Sequence, residues 1–187
     1  MKKLLALLLI FILCLSVSAC KNDETTDIDG VSASSTECTE QDIYRLMERN
    51  LDYYYIFCVA PLSYEGDKTD DGYYKADTSF LSDYNAMESL VKSTYISEKA
   101  SKLLSYPNEE KPLYKNIDGE IYINPDYAEN IDYNILWDDT YTVKFTEKSK
   151  EECTFELSTT DFDGNTYVTE GKAVFQYGGW VLTDIIC

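Results

Sequence analysis

Apolar residues divide the chain into an early helical part and a later part that alternates like strands. From position 39 onward, five apolar residues recur three or four positions apart, the spacing of one helix face. They are Ile43, Leu46, Met47, Leu51 and Tyr54. Thr39, with Asp42 three residues later, predicts a capping box at the start of this helix. We expect the helix to begin there and to end near Pro61.

Two shorter helices are predicted next. One runs from Tyr84 to Tyr95, and the other begins with Ser97 as its N-cap and stops before Pro107. The stretch 63–79 is polar and is predicted to be irregular, with a turn at Asp71-Gly72.

After Pro107 the apolar period changes from 3.6 to 2, which is typical of strands. Segments 113–117 and 120–123 flank the turn Asp118-Gly119 and predict a hairpin. Further strands are predicted around 141–145, 153–157, 165–177 and 180–186. Helices followed by antiparallel strands indicate an α+β domain, with the N-terminal helices packed on one curved antiparallel sheet. By analogy, the arrangement would be cystatin- or NTF2-like.

The N-terminus has the pattern of an export signal. Lys2 and Lys3 precede an apolar run of 12 residues from Leu4 to Leu15, which is shorter than the ~20 residues that span a bilayer. The run Val17-Ser18-Ala19-Cys20 resembles a bacterial lipobox, so we expect removal of residues 1–19 and lipidation of Cys20. The alternative is an ordinary signal peptide cut nearby.

The expected organisation is therefore a signal over 1–19, a lipidated cysteine with a flexible acidic tether over 20–37, and one domain over 38–187. The protein would be held by its lipid at the extracellular face of the membrane. The absence of histidine and the frequent Lys, Asn and Tyr favour a low-GC Gram-positive source.

The charge is strongly acidic. Removing Lys2 and Lys3 with the signal changes the formal net charge from −18 to −20. Such a surface repels nucleic acid and anionic lipid, so we expect a basic protein partner and no nucleic acid. We expect the domain itself to be a monomer.

Four cysteines remain in the predicted domain, namely Cys38, Cys58, Cys153 and Cys187. An even number in an exported chain permits disulfides. Cys38 and Cys58 would lie at opposite ends of the first helix, ~27 Å apart at 1.5 Å per residue. Full pairing would therefore join the helix ends to the sheet through Cys153 and Cys187. The alternatives are a single Cys153–Cys187 bridge and simple buried thiols.

The composition excludes several kinds of chemistry. With no histidine, the chain cannot build a Ser-His-Asp triad, and it has no phosphate-binding glycine motif. The cysteines lack zinc-site spacing. Asp161-Phe162-Asp163-Gly164-Asn165 superficially suggests a calcium loop, but its glycine is at position 4 instead of 6, which favours a β-turn. We expect no metal, no cofactor and no enzymatic activity.

Tyrosines suggest a recognition surface. Three consecutive residues, 53–55, fan around a helix, so at least one ring should be buried. Tyr73 and Tyr74, followed by Asp77, are predicted in a loop or edge strand, where aromatic rings are available for binding.

A family resemblance joins several of these features. The run Tyr-Tyr-Lys-Ala-Asp-Thr-Ser-Phe-Leu-Ser at 73–82, the helix Ser97–Leu104, and Tyr114 followed by Asp-Gly-Glu-Ile-Tyr at 118–122 carry it. Over about 40–187 the chain resembles the IseA-type inhibitors of D,L-endopeptidases. The resemblance implies a non-catalytic protein that binds the NlpC/P60 domain of a peptidoglycan hydrolase and blocks its cleft. The inhibitory loop would be Asp118, Gly119 and Glu120, acting as a mimic of an acidic peptide stem.

Two other functions stay open. The domain could be an NTF2-like binding module for a small ligand or cell-wall fragment, or an accessory lipoprotein without a defined ligand. An inhibitor should have a protruding acidic loop and a filled core, whereas a ligand binder should have an enclosed apolar cavity lined by Tyr or Trp.

Overall fold

Three helices come first in the chain, and most strands follow them. The computed structural model describes residues 37–128, 135–137, 140–161 and 163–187. The predicted signal, Cys20 and nearly all of the tether lie outside these residues. The helices are α1 (Glu40–Tyr54), α2 (Tyr84–Thr94) and α3 (Ser97–Leu104), with a π-helix at Tyr55–Val59 and a 3-10 helix at Pro125–Tyr127. No helix among the described residues is long and apolar enough to cross a bilayer.

The first helix begins with the predicted capping box. The backbone N–H of Thr39 donates to Asp42 Oδ2 at 2.9 Å, and the N–H of Asp42 donates to Thr39 Oγ1 at 3.3 Å. These two bonds satisfy backbone groups that a helix leaves without partners at its start. The face that carries Ile43, Leu46 and Met47 is fully buried. The prediction for this helix is confirmed.

The third helix begins one residue away from its predicted cap. Ile96 is the N-cap, and Ser97 is the first helical residue without a side-chain capping bond. The cause is a tertiary contact, in which the N–H of Ile96 donates to the carbonyl of Leu182 at 2.9 Å. That contact holds Ile96 in an extended conformation beside the last strand, so the helix starts after it. The prediction of Ser97 as N-cap was wrong.

The strands form two antiparallel sheets. The first sheet has the order β1-β2-β4-β3, and the second has β5-β7-β8-β9 with β6 also paired to β7. The strands are β1 (Tyr64–Glu65), β2 (Tyr74–Ala76), β3 (Tyr114–Ile117), β4 (Glu120–Ile123), β5 (Ile135–Leu136), β6 (Thr142–Lys148), β7 (Glu152–Asp161), β8 (Thr166–Gln176) and β9 (Gly179–Leu182).

The α+β class is confirmed, but the strands are divided differently from the expected single sheet. The hairpin β3–β4 pairs with β2, in the register Tyr74 with Ile123, rather than with the C-terminal strands. The segment predicted to be irregular therefore supplies two short strands. Helix α1 packs on β6 and β9, and α2 packs on β9.

Aromatic rings fill the space between the helices and the sheets. Tyr53 stacks on Phe57 with ring centroids 4.2 Å apart and meets the edge of Tyr95 at 5.4 Å. Phe57 also meets Tyr114 edge-on at 4.9 Å. All four side chains are buried, so this interior is densely filled. Burial of Tyr53 agrees with the expectation for residues 53–55.

Candidate functional site

The hairpin β3–β4 presents a rigid acidic turn. Asp118 and Gly119 both have positive φ, 55° and 88°, as in a type I′ hairpin turn. The N–H of Gly119 donates to Asn116 Oδ1 at 2.8 Å, and its carbonyl accepts from the N–H of Tyr84 at 3.0 Å. The turn is therefore attached to the first residue of α2. Aspartate tolerates the left-handed conformation better than most residues, so this turn carries little strain.

The carboxylates around this turn differ in how they are paired. Glu120 accepts from Lys75 Nζ at 2.6 Å, and Lys115 pairs with Asp71. The Lys115 ammonium is the main cause that lowers the pKa of Asp71. Asp118 is exposed and forms no ion pair with a described residue. Of the three predicted loop residues, Asp118 therefore offers an unshared negative charge, while Glu120 is already partnered.

The predicted aromatic surface is only partly present. Tyr73 is 3% exposed, and its hydroxyl donates to the carbonyl of Pro112 at 2.7 Å. Burial raises the pKa of this phenol to about 12. The N–H of Tyr73 donates to Thr69 Oγ1, and the N–H of Thr69 donates to the carbonyl of Tyr73; these bonds close a turn that directs Tyr73 inward. The expectation that Tyr73 is available for binding was wrong, because its ring is needed to cover the interior.

The other two residues of that surface lie nearer to solvent. Tyr74 is half-buried and packs against Tyr64, with ring centroids 4.7 Å apart. Asp77 accepts hydrogen bonds from Ser63 Oγ at 3.2 Å and from the N–H of Ser79 at 3.0 Å. Since β2 lies beside β4, Tyr74 shares a sheet with the acidic turn.

An aromatic groove that the sequence did not predict lies along α1. Its cavity has a volume of about 530 Å³ and is lined by Tyr44, Trp137 and Tyr141, with Glu48 and Asp52 nearby. Ring centroids of Tyr141 lie 5.2 Å from Tyr44 and 5.8 Å from Trp137. Burial, with a smaller contribution from the Glu48 charge, raises the pKa of Asp52.

This groove could not be found from periodicity. Trp137 lies between strands, where no hydrophobic pattern assigns it to a face. Its indole Nε1 is buried without a hydrogen-bond partner among the described residues.

Cys38, Cys58, Cys153 and Cys187 form no disulfide in the structure. Cys38 and Cys153 are both buried, whereas Cys187 is exposed. A hydrogen bond with the Cys153 thiol is the main cause that raises the pKa of Cys38, and burial adds to it. The strand register explains why these two thiols are close. Lys148 lies opposite Cys153, and its ammonium binds Glu37, the residue before Cys38, at 3.2 Å. The start of α1 and strand β7 thus bring these two thiols together.

In the turn after β7, the Asp161 carboxylate is engaged by groups of the turn itself. Asp161 Oδ1 accepts from the N–H of Asp163 at 3.0 Å and from the N–H of Asn165 at 2.7 Å. These bonds lower the pKa of Asp161, with the Asn165 side chain as the largest cause. They favour the β-turn interpretation; Phe162 lies outside the described residues. Within the described ranges, no three His, Cys, Asp or Glu side chains cluster as a metal site would require.

Comparisons of the sequence give no relative to guide the function. No family model matches the chain, and no curated protein matches it significantly. The geometry of the described residues is therefore the basis for the proposals below.

Proposed function

We propose that this chain is a non-catalytic inhibitor of a peptidoglycan D,L-endopeptidase, held outside the cell membrane through lipidated Cys20. The observation that supports it best is the acidic turn, where Asp118 is exposed and unpaired on a hairpin attached to α2. A NlpC/P60 catalytic domain that accepts acidic peptide stems would meet this carboxylate in its cleft.

Rigidity is what makes the turn suitable. A loop that is already ordered loses less conformational entropy when it binds than a flexible loop does. The bonds of Gly119 to Asn116 and Tyr84 hold the turn from both sides. The filled interior agrees with an inhibitor, which needs a stable platform rather than an internal cavity.

Electrostatics should contribute mainly to the rate of association. The net charge of −18 attracts a basic cleft over a range that salt shortens. Inhibition should therefore weaken as ionic strength rises, through slower binding.

Digestion of purified peptidoglycan by a NlpC/P60 endopeptidase, with the 38–187 domain added, tests this function. We expect the wild-type domain to suppress digestion at stoichiometric excess. Asp118→Asn removes the charge but suits the left-handed turn, so it should raise the inhibitory concentration about tenfold, the effect of one charge-assisted hydrogen bond. Asp118→Lys should abolish inhibition.

Asp163→Asn is the matched control, since Asp163 is an exposed aspartate in a different hairpin turn. It changes the net charge equally and should leave inhibition unchanged. Undiminished digestion at excess wild-type domain would contradict the proposal. Equal weakening by both variants would show that net charge, rather than this turn, is responsible.

A second candidate function, binding of a small ligand or cell-wall fragment, is favoured by the aromatic groove. Aromatic faces beside polar groups are common in carbohydrate and peptide sites. Titration with soluble muropeptides, followed by calorimetry, would test it. Trp137→Ala should remove saturable heat, whereas Asp118→Asn should not affect it.

A further inference from the structure

Both arginines of this acidic chain line a single groove. Arg45 and Arg49 are one helical turn apart on α1, so their side chains share a face. The groove has a volume of about 450 Å³ and continues to the end of α2 and the turn between β8 and β9. Its other walls include Lys92, Ser93, Gln176, Tyr177 and Trp180.

Neither arginine has a carboxylate partner. Every ion pair between described side chains uses a lysine. Arg49 Nε donates to the backbone carbonyl of Arg45 at 3.3 Å, and neither guanidinium forms an ion pair with a described carboxylate. Burial lowers the pKa of Arg49, the Arg45 charge adds to this, and Glu48 opposes it.

Two of the acids around the groove are already engaged. Asp42 lines it, but its Oδ2 accepts from both the N–H and the hydroxyl of Thr39. Glu88 is paired with Lys92 at 2.8 Å. On a chain with a net charge of −18, two arginines in one cavity without an ion-pair partner among the described residues need an explanation.

The aromatic walls supply a second, independent indication. Trp180 is 8% exposed, and its indole N–H has no hydrogen-bond partner among the described residues. Buried polar groups are normally hydrogen-bonded, and Trp180 is among the residues that line the groove. Tyr177 is 97% exposed at the tip of the turn and has φ of 51°, a conformation that aromatic residues rarely adopt.

We propose that this groove binds a small anionic ligand, a carboxylate or phosphate carried on a ring or another apolar body. Guanidinium groups form paired hydrogen bonds with both anions, and Trp180 and Tyr177 provide contact for the apolar body. The proposal is independent of the endopeptidase hypothesis. The groove reaches the end of α2, whereas the Asp118 turn is attached to the beginning of that helix.

Titration of the domain with phenyl phosphate and with benzoate tests the proposal and distinguishes the two anions. The indole N–H of Trp180 is followed by ¹H–¹⁵N NMR, and Trp137→Phe assigns its signal because the chain has only two tryptophans. We expect saturable shifts in the millimolar range or tighter for at least one probe. Inorganic phosphate should bind more weakly than phenyl phosphate, and uncharged phenol should cause no saturable shift.

Arg45→Gln and Arg49→Gln should each weaken binding about tenfold, and together they should abolish it. Lys150→Gln is the matched control, since Lys150 is an exposed cation outside the groove with no described partner. It should bind like wild type. Absence of saturation with both aromatic anions, or equal binding by the double arginine variant with an unchanged backbone spectrum, would overturn the proposal.

Discussion

The two hairpin turns Asp118-Gly119 and Tyr177-Gly178 share a backbone geometry and differ in almost everything else. Both have two successive residues with positive φ, 55° and 88° in one and 51° and 85° in the other. The first turn belongs to the smaller sheet and exposes a carboxylate. The second belongs to the larger sheet and exposes a tyrosine beside two arginines.

Asp118 suits the left-handed backbone conformation of its turn, and Tyr177 does not. Aspartate is among the residues that adopt the left-handed conformation readily, so the backbone conformation of Asp118 needs no explanation beyond the turn. Tyrosine has no such preference for the left-handed conformation, and the Tyr177 side chain is almost wholly exposed to solvent. A locally unfavourable residue with an exposed side chain points to a function, and the groove lined by Arg45 and Arg49 supplies one.

The largest expected effect on stability comes from a disulfide that would join the larger sheet to the start of α1. Refolding with oxidised glutathione should join Cys38 to Cys153, as one glutathione disulfide is reduced to two thiols. The bridge closes a loop of over 100 residues and should raise the free energy of unfolding by about 4 kcal/mol. Urea unfolding measures this, and peptide mapping by mass spectrometry identifies the bridge.

Replacing Cys58 and Cys187 with serine should leave this bridge and its effect unchanged. A Cys153–Cys187 bridge in the peptide map would contradict the arrangement of α1 and β7 described above.

The next largest effect is expected at Asn50, and Asn116 at the Asp118 turn provides the comparison. Asn50 is buried, donates to the carbonyl of Ile186 at 2.6 Å, and accepts from the N–H of Ile186 and the hydroxyl of Tyr95. Asn50→Ala leaves these groups unpaired in the interior and should cost about 3 kcal/mol. Asn116→Ala, at the exposed Asp118 turn, should cost about 1 kcal/mol. Similar losses in urea unfolding would show that the two anchors are equivalent.

A tyrosine hydroxyl ties the smaller sheet to the end of the first helix. Tyr114 Oη donates to the carbonyl of Ile56 at 2.6 Å and accepts from the N–H of Leu62 at 2.9 Å. Tyr114→Phe should therefore lower the free energy of unfolding by about 2 kcal/mol. Tyr122→Phe, on the adjacent strand, removes a hydroxyl without a described partner and should be nearly neutral. A neutral Tyr114→Phe would contradict this anchor.

The smallest expected effect is a stabilisation of the domain, whereas the two preceding substitutions lower the free energy of unfolding. Tyr177→Asn creates the Asn-Gly pair that type I′ turns favour and should stabilise the domain by about 1 kcal/mol. The same variant should weaken binding of phenyl phosphate in the NMR titration. Asp118→Asn, at the equivalent position of the other turn, should change stability very little. If Tyr177→Asn were destabilising, the ring would have a structural role, and the contrast between the turns would fail.

The sequence by itself determined the elements whose signals are local. Thr39 and Asp42 form the predicted cap because both residues lie within one helical turn. Asp118-Gly119 forms the predicted hairpin because this dipeptide suits the turn that joins adjacent strands. The order of helices and strands, and therefore the α+β class, follows from the change in apolar period.

Tertiary structure alone decided which distant segments meet. It paired β2 with β4, which divided the strands into two sheets, and it directed Tyr73 inward. It also placed Cys38 against Cys153 and brought Tyr177 to the arginines of α1. Sequence periodicity reports which face of an element is buried but not what covers it. That choice depends on how well distant surfaces fit when packed.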